Sequence, residues 1–333
     1  MANPMTIGTA ADLIDKSIQR IAVKITNSVI ENYKDYYHTE TTEDYYDKDS
    51  SISGFSEAGR ITESAIIVSE SPVQGFDKTY QQVFFGLIGS FTMQEWKFGI
   101  KKRKLEKVVR DLDRACRVKR EKLTTGYLEA SIANGSTMTI QDPSGNYSKS
   151  VTGGDSQEMI DSSHTREDGG TAWSNVIGDG TTSNMDFAYD ALKAAGRTGQ
   201  LVTDPKGNQM DIDYDTFVFK KKSPISYKAM EINAALKSGK IPESADNDGS
   251  GASTFSILQL PYLTAANQAY WWGFDSTMKD YDMGLQYRES QGITFEGPDV
   301  EFKTGTIYYK SYMAYDFGHN DGRMWSGSTG ANA

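Results

Sequence analysis

Three aspartates, Asp211, Asp213 and Asp215, occupy alternate positions, as the first ligands of a calcium-binding loop would. The sixth position of such a loop needs glycine and the twelfth needs glutamate. Here those positions hold Thr216 and Lys222, so we predict no calcium site. The spacing instead indicates a turn that leads into a strand.

Other patterns that could support catalysis or metal binding are missing from the sequence. The three histidines, His38, His164 and His319, lie far apart and do not have the spacing of zinc ligands. There is no C-x-x-C, H-E-x-x-H, G-x-S-x-G or glycine-rich phosphate motif. No carboxylate pair stands out as a general acid and base. We therefore predict no catalytic residue, metal or cofactor, and a protein that is not an enzyme.

The clearest charge pattern lies within residues 101–133, a stretch without proline. Five basic residues recur there at a spacing of three or four: Arg103, Lys107, Arg110, Arg114 and Arg117. Apolar residues follow the same spacing two positions later, at Leu105, Val109, Leu112, Cys116 and Leu123. Two positions are about 200° of helical rotation, so the sequence predicts a helix about 50 Å long with opposite basic and apolar faces.

The basic face contrasts with the rest of the chain. Residues 101–122 contain eleven Lys and Arg against four Asp and Glu, a charge of +7, whereas the chain carries −10 and the remainder therefore −17. Two interpretations are open: a solvated face, which is usual for a run of charge, or a surface that meets an anion such as nucleic acid. The acidic balance disfavours a protein whose whole surface binds DNA.

The first hundred residues give three kinds of pattern. An apolar stripe from Ile14 to Val29 predicts a helix over residues 9–32. The next segment, up to Gly54, is acidic, rich in tyrosine and short of aliphatics, which indicates an extended arm or loop. Residues 55–100 have strand character and predict a hairpin-like excursion, which needs a neighbouring surface because an isolated hairpin is unstable in water.

The rest of the chain predicts a compact α/β unit followed by strands. We expect helices over residues 184–196, Pro224–Leu236 and Pro261–Phe274, and a flexible loop at Glu243–Thr254. The expected strands are Thr216–Lys220, Leu285–Glu289, Val300–Phe302 and Thr306–Tyr315. We expect the tail from Gly322 to fray. The single cysteine predicts no internal disulfide and a reduced, buried thiol, as in a cytosolic protein. We expect no signal peptide and no membrane span.

Several strings occur in an order that resembles one known family. They are Gly170–Ser174, Met185–Tyr189, Asn208–Asp211 with Thr216–Lys220, Leu260–Leu263 with Ala269–Trp272, and Ala314–Gly318 with Asp321–Trp325. This order resembles the major capsid proteins of tailed bacteriophages, which have the Hong Kong 97-like fold. The resemblance implies an α+β protein. Its parts would be an N-terminal arm (1–54), an extension loop (55–100), a peripheral domain (101–183) with a spine helix (101–133), an axial domain (184–282) and a return to the peripheral domain (283–333).

The resemblance also implies a function and partners. The chain would self-assemble into pentamers and hexamers of an icosahedral head that encloses double-stranded DNA in the virion, after assembly in the host cytoplasm. A separate scaffolding protein, a portal and decoration proteins are further expected partners. The spine helix would then turn its basic face to DNA. The extension loop would lie on a neighbouring subunit through Phe84, Phe85, Phe91 and Trp96, unless these aromatics are buried within their own subunit. The alternatives are an encapsulin-type nanocompartment and, less favoured, a stand-alone nucleic-acid-binding protein.

Overall fold

The computed structural model describes most of the chain, with gaps. The described residues are 31–52, 54–61, 67, 69–72, 74–92, 102–132, 135–141, 145–178, 184–239, 254–264, 268–279 and 283–330. Nearly all of the helix expected over residues 9–32, nearly all of the loop expected at Glu243–Thr254, and Trp96 lie outside them. Helices and strands are mixed along the chain, which confirms the α+β class.

The first sheet has four strands in the order β1-β10-β11-β4. They are β1 (His38–Thr41), β4 (Val83–Phe91), β10 (Leu285–Val300) and β11 (Ile307–His319). Strand β1 runs parallel to β10, and the other pairs are antiparallel. Two hairpin-like pairs flank this sheet: β2 (Tyr46–Ile52) with β3 (Gln74–Gln81), and β5 (Thr137–Ile140) with β6 (Tyr147–Ser150).

A long helix packs on this sheet. After the short helix α1 (Tyr33–Tyr36), helix α2 spans Lys102–Ala130, so the predicted spine helix is confirmed and ends three residues earlier than expected. Its apolar stripe faces inward, because Leu112, Cys116 and Leu123 are buried. The side chains of Leu105 and Val109 lie outside the described part.

The second sheet has the order β12-β9-β7-β8. Its strands are β7 (Thr216–Lys220), β8 (Ser256–Leu260), β9 (Trp271–Phe274) and β12 (Trp325–Ser328), and it carries helices α3 (Tyr189–Leu201) and α4 (Pro224–Lys237). The predicted strand at 216–220 and the helix beginning at Pro224 are confirmed. Ser223 caps that helix, since its hydroxyl accepts a hydrogen bond from the backbone N–H of Ser226 at 3.1 Å.

Helix α3 departs from its predicted bounds of 184–196. It begins at Tyr189 and continues through Gly196, which is exposed, to Leu201. The glycine that the packing needs is Gly199, because a Cβ there would lie 2.0 Å from the backbone oxygen of Ile212.

The helix predicted over Pro261–Phe274 is wrong. Its last four residues form β9, and all four are buried. Trp271 joins a core under helices α3 and α4, whereas Trp272 joins the core shared with helix α2. A strand buried on both faces is a continuous apolar run, and periodicity alone cannot distinguish such a run from a helix.

The end of the chain was also predicted wrongly. Instead of fraying, the tail forms β12, which pairs antiparallel with β9. Trp325 is fully buried, and its ring stacks on Phe274 with the centroids 4.7 Å apart. Strands β10 and β11 belong to the first sheet, whereas β12 completes the second sheet.

The acidic, tyrosine-rich segment is not a simple arm. Tyr33, Tyr36 and Tyr37 are buried in the main core, and the hydroxyl of Tyr37 donates to the backbone oxygen of Thr124 at 3.1 Å. Tyrosine can fill a core with its ring while its hydroxyl finds a polar partner, so a shortage of aliphatics misled the sequence-based expectation.

Trp325→Ala tests whether the tail belongs to the core. Because the indole is fully buried, we expect the unassembled chain to lose roughly 3–5 kcal/mol of unfolding free energy, measured by urea denaturation. Met230→Ala, on the exposed side of helix α4, is the control. A loss at Trp325 no larger than at Met230 would contradict the assignment.

Candidate functional site

Two of the three histidines have structural roles in the core. Nδ1 of His164 lies 2.7 Å from a carboxylate oxygen of Asp155, and its ring stacks on Trp173 with the centroids 4.2 Å apart. Burial lowers the pKa of His319 to about 3, so its imidazole is neutral, with Nδ1 2.8 Å from the hydroxyl of Tyr127.

No metal site emerges in the part of the chain that the structure describes. No group of three or more His, Cys, Asp and Glu side chains there is placed to hold an ion. Asp215, from the rejected calcium pattern, accepts a hydrogen bond from the backbone N–H of Ser276 at 3.0 Å. Its carboxylate therefore joins two chain segments.

Helix α2 presents a basic face to solvent, but only part of the predicted stripe belongs to it. Lys107, Arg110 and Arg114 are exposed, as the spacing predicts. The side chain of Arg103 lies outside the described residues. Whether the exposed side chains contact DNA stays a prediction.

Arg117 is a correction to the predicted stripe. Its guanidinium is buried, donating to Asp113 at 2.9 Å and to Glu31 at 2.5 Å. The preceding segment of the chain covers this side of the helix, which helical spacing could not reveal. Arg117 therefore holds two elements together and is not part of the exposed basic face.

Glu31 is the centre of that contact. Besides Arg117 it binds Arg120, which also donates to Glu289 at 3.3 Å and lies over the ring of Tyr33, 4.8 Å from its centroid. Burial opposes ionisation of Glu31, but its hydrogen bond with Lys34 and the charges of Arg120 and Arg117 lower its pKa below the ordinary value. The segment entering helix α1 is thus fastened to the middle of helix α2.

A second carboxyl group lies at the same junction, but its pKa is raised and not lowered. Glu121 is buried and accepts from the backbone N–H of Tyr33 at 3.3 Å. Burial raises its pKa to about 7, although the hydrogen bonds from Tyr33 and Asn32 and the charge of Arg120 act against the shift. Near neutral pH this junction therefore contains a carboxyl group that is partly protonated.

The predicted inter-subunit aromatics differ in how far they are exposed to solvent. Phe84 is 67% exposed. Phe85 is half-buried, with its ring centroid 5.2 Å from that of Tyr315. Phe91 is a correction: it is buried within its own subunit against Tyr309, because its side chain points to the inner face of the sheet.

Strand β4 has an unusual surface for a sheet edge. Within the described residues it pairs only with β11. It exposes Leu87 and Ile88 as well as Phe84, with 49%, 64% and 67% of their surfaces accessible. Sequence reasoning selected the phenylalanines and missed Leu87 and Ile88, although the run Val83–Phe91 contains all of them. An exposed apolar sheet edge is a template for pairing and burial by another chain.

A cleft of about 480 Å³ opens beside this edge. Its walls come from β4, from helix α2 and from the β5–β6 hairpin. The lining residues used below are Phe84, Phe85, Leu87, Cys116, Lys119 and Ile140. The cleft volume falls in the range of pockets that bury small molecules, so a protruding side chain of another chain fits it.

None of the helices in the described ranges is both long and apolar enough to cross a bilayer. No family model and no curated protein matches the sequence of this chain.

Solved structures similar to the chain come from phage and shell particles. One from Mycobacterium phage Patience has 10% identity and a TM-score of 0.49, covering 95% of this chain and 86% of its own. The capsid of the empty GTA particle has 13% identity, a TM-score of 0.48 and coverages of 89% and 88%. The virus-like particle from Pyrococcus furiosus has 9% identity, a TM-score of 0.48 and coverages of 94% and 98%.

Glu121→Gln tests the titrating carboxyl group. A carboxyl pKa raised from 4.5 to about 7 contributes stability below pH 4.5 that is lost as the pH rises through 7. Glutamine keeps the shape but cannot ionise. Relative to wild type, we expect the variant to gain up to about 3 kcal/mol of unfolding free energy between pH 5 and pH 8. Urea denaturation of the unassembled chain at both pH values measures the gain.

Glu231→Gln, which removes an exposed carboxylate, is the control for Glu121→Gln. A difference between Glu121→Gln and wild type that is the same at both pH values would contradict the raised pKa.

Proposed function

We propose that the chain is the major capsid protein of a tailed bacteriophage. It self-assembles into the pentamers and hexamers of an icosahedral head that encloses double-stranded DNA. The observation that carries this proposal is the apolar edge of β4 and the cleft beside it, a large surface suited to burial by another subunit. In this proposal the chain acts by packing against other copies of itself.

The form of the surface favours assembly into rings. The cleft beside strand β4 is concave, so a projecting surface of another copy would fill it, and that surface differs from the cleft itself. Contacts between unlike surfaces of identical chains are heterologous, and they close into rings when the rotation between subunits permits. Pentamers and hexamers are rings of this kind.

The exposed part of helix α2 supports an anionic content. Lys107, Arg110 and Arg114 all face solvent. In a head, this face would lie towards the interior and neutralise DNA phosphates without reading sequence. The further partners of such a head are a separate scaffolding protein, a portal and decoration proteins, with assembly in the host cytoplasm.

An encapsulin-type compartment is the alternative whose shell would be built in the same way. Its content would be protein cargo and not a genome. The exposed basic face favours nucleic acid over a folded enzyme, because its positive charges complement phosphates.

Purified protein should form closed icosahedral shells, either alone or with a scaffolding protein. Negative-stain electron microscopy reveals the shells, and nuclease treatment before and after disruption identifies the content. Protein that stays monomeric under both conditions would contradict the shell function. Shells that contain a second protein and no DNA would favour the compartment.

The triple variant Lys107→Gln, Arg110→Gln, Arg114→Gln tests the contact with DNA. We expect normal shells, because these side chains are exposed. We expect DNA to be retained less well at raised salt, because about three phosphate contacts are lost. The measurement is DNA release from disrupted particles across a salt series. The matched control, Arg197→Gln, Lys228→Gln, Lys237→Gln, removes three exposed charges from helices α3 and α4. Equal release from both variants would contradict the assignment of the basic face.

A further inference from the structure

The turn between β10 and β11 displays the most exposed aromatic side chain of the described residues. Phe302 is fully accessible, and Val300 beside it is 40% accessible. An apolar side chain held entirely in water has no role in the stability of its own subunit. Single exposed apolar residues are common on surfaces, so the argument depends on how this one is held.

The turn that carries Phe302 is tightly hydrogen-bonded. The N–H of Glu301 donates to the oxygen of Thr306 at 2.9 Å, and the N–H of Gly305 donates to the oxygen of Glu301 at 2.8 Å. The carboxylate of Glu301 accepts from the hydroxyls of Thr304 at 2.7 Å and Tyr308 at 3.2 Å. The aromatic ring is therefore presented on a pre-organised support, which lowers the entropic cost of inserting it into a partner.

The same subunit contains a receptor of matching chemistry, the cleft beside β4. Phe85, Leu87 and Ile140 supply apolar walls. Lys119 supplies one cation: its ammonium donates to the backbone oxygen of Gln141 at 3.1 Å and lies 6.0 Å from the ring centroid of Phe85. An aromatic side chain flanked by the carboxylate of Glu301 complements such a cleft in shape and charge.

Phe302 cannot fill the cleft of its own subunit. In the β11–β4 register, Ile307 is opposite Phe91 at the end near the turn, whereas Met313 is opposite Phe85 at the cleft. Six residues of strand separate the two positions, which is roughly 20 Å. A Phe302 ring that fills this cleft must therefore belong to a second copy.

We infer that the turn at Glu301–Thr306 of one subunit inserts Phe302 into the β4 cleft of the next subunit. The inference rests on the proposed shell function, and it names two surfaces that meet in the shell. Each copy has one projecting ring and one cleft, so the contact is heterologous and propagates around a ring.

Paired cysteines test the contact in assembled particles of the full chain. Because Cys116 lines the cleft, the parent carries Cys116→Ser, which keeps a polar group near the hydroxyl of Ser311. Phe302→Cys is then combined with Leu87→Cys, and a short bismaleimide joins thiols that lie close together. We expect a ladder of covalent multimers beyond the dimer, because every copy is linked on two sides.

The matched control combines Phe302→Cys with Ile88→Cys. Ile88 is the next residue of the same strand and is more exposed than Leu87, but its side chain points to the opposite face. We expect at most dimers, formed by two thiols at position 302. An equal ladder from both pairs, or dimers alone from both, would overturn the contact.

Electron micrographs of the same samples separate this inference from the shell function. Shells without the ladder specific to Leu87 would leave the shell function standing and overturn the contact. The ladder without closed shells would support the contact and contradict the shell function. If the wild-type chain forms no shells and the Phe302→Cys, Leu87→Cys variant forms no ladder, both are overturned.

Discussion

The packing of one face of helix α2 against the first sheet is the constraint on which the rest of the structure depends. Cys116 lies on that face, with its sulfur 3.4 Å from the hydroxyl of Ser311 in β11. Strand β4 approaches so closely that a Cβ at Gly89 would lie 3.2 Å from Leu112. Further along, Leu123, Tyr127 and Leu128 enter the core that also holds residues of the second sheet. One helix face therefore joins both sheets into one body.

This packing also decides what each remaining side of the helix can do. Arg117 and Arg120 lie beside the buried face, where the segment that begins at Glu31 covers them and supplies their counter-charges. Lys107, Arg110 and Arg114 lie on the far side and stay in water. The charges of one helix are thus divided between an internal clamp and an external face, and only the external face can bind a partner.

The same arrangement leaves apolar surface uncovered at the sheet edge. Helix α2 and the β5–β6 hairpin line the cleft together with β4 and leave it open. A subunit that stayed alone would expose Phe84, Leu87 and Ile88 permanently. Burial of that surface by another copy would give the proposed self-assembly a physical cause, since removing apolar area from water is favourable.

Local patterns in the sequence were sufficient where one element decides its own structure. The 3–4 spacing of apolar residues in helix α2, the short apolar run of β7 and the segment that begins at Pro224 in helix α4 each predicted the observed element. Acidic, tyrosine-rich and glycine-rich composition was misleading at Tyr33–Tyr37 and at β12. In both cases a distant core took up aromatic rings that local composition assigns to solvent.

The sequence by itself determined that this is an α+β protein with an amphipathic, basic spine and without a recognisable catalytic motif. Only the tertiary structure decided that Arg117 is buried, that Phe91 faces inward while Phe84 faces out, and that β9 is a strand. These outcomes depend on which residues meet across long separations in the chain, such as Glu31 with Arg117 or Trp325 with Phe274. Periodicity describes the faces of a single element, whereas burial and ion pairing belong to the surfaces that the fold brings against it.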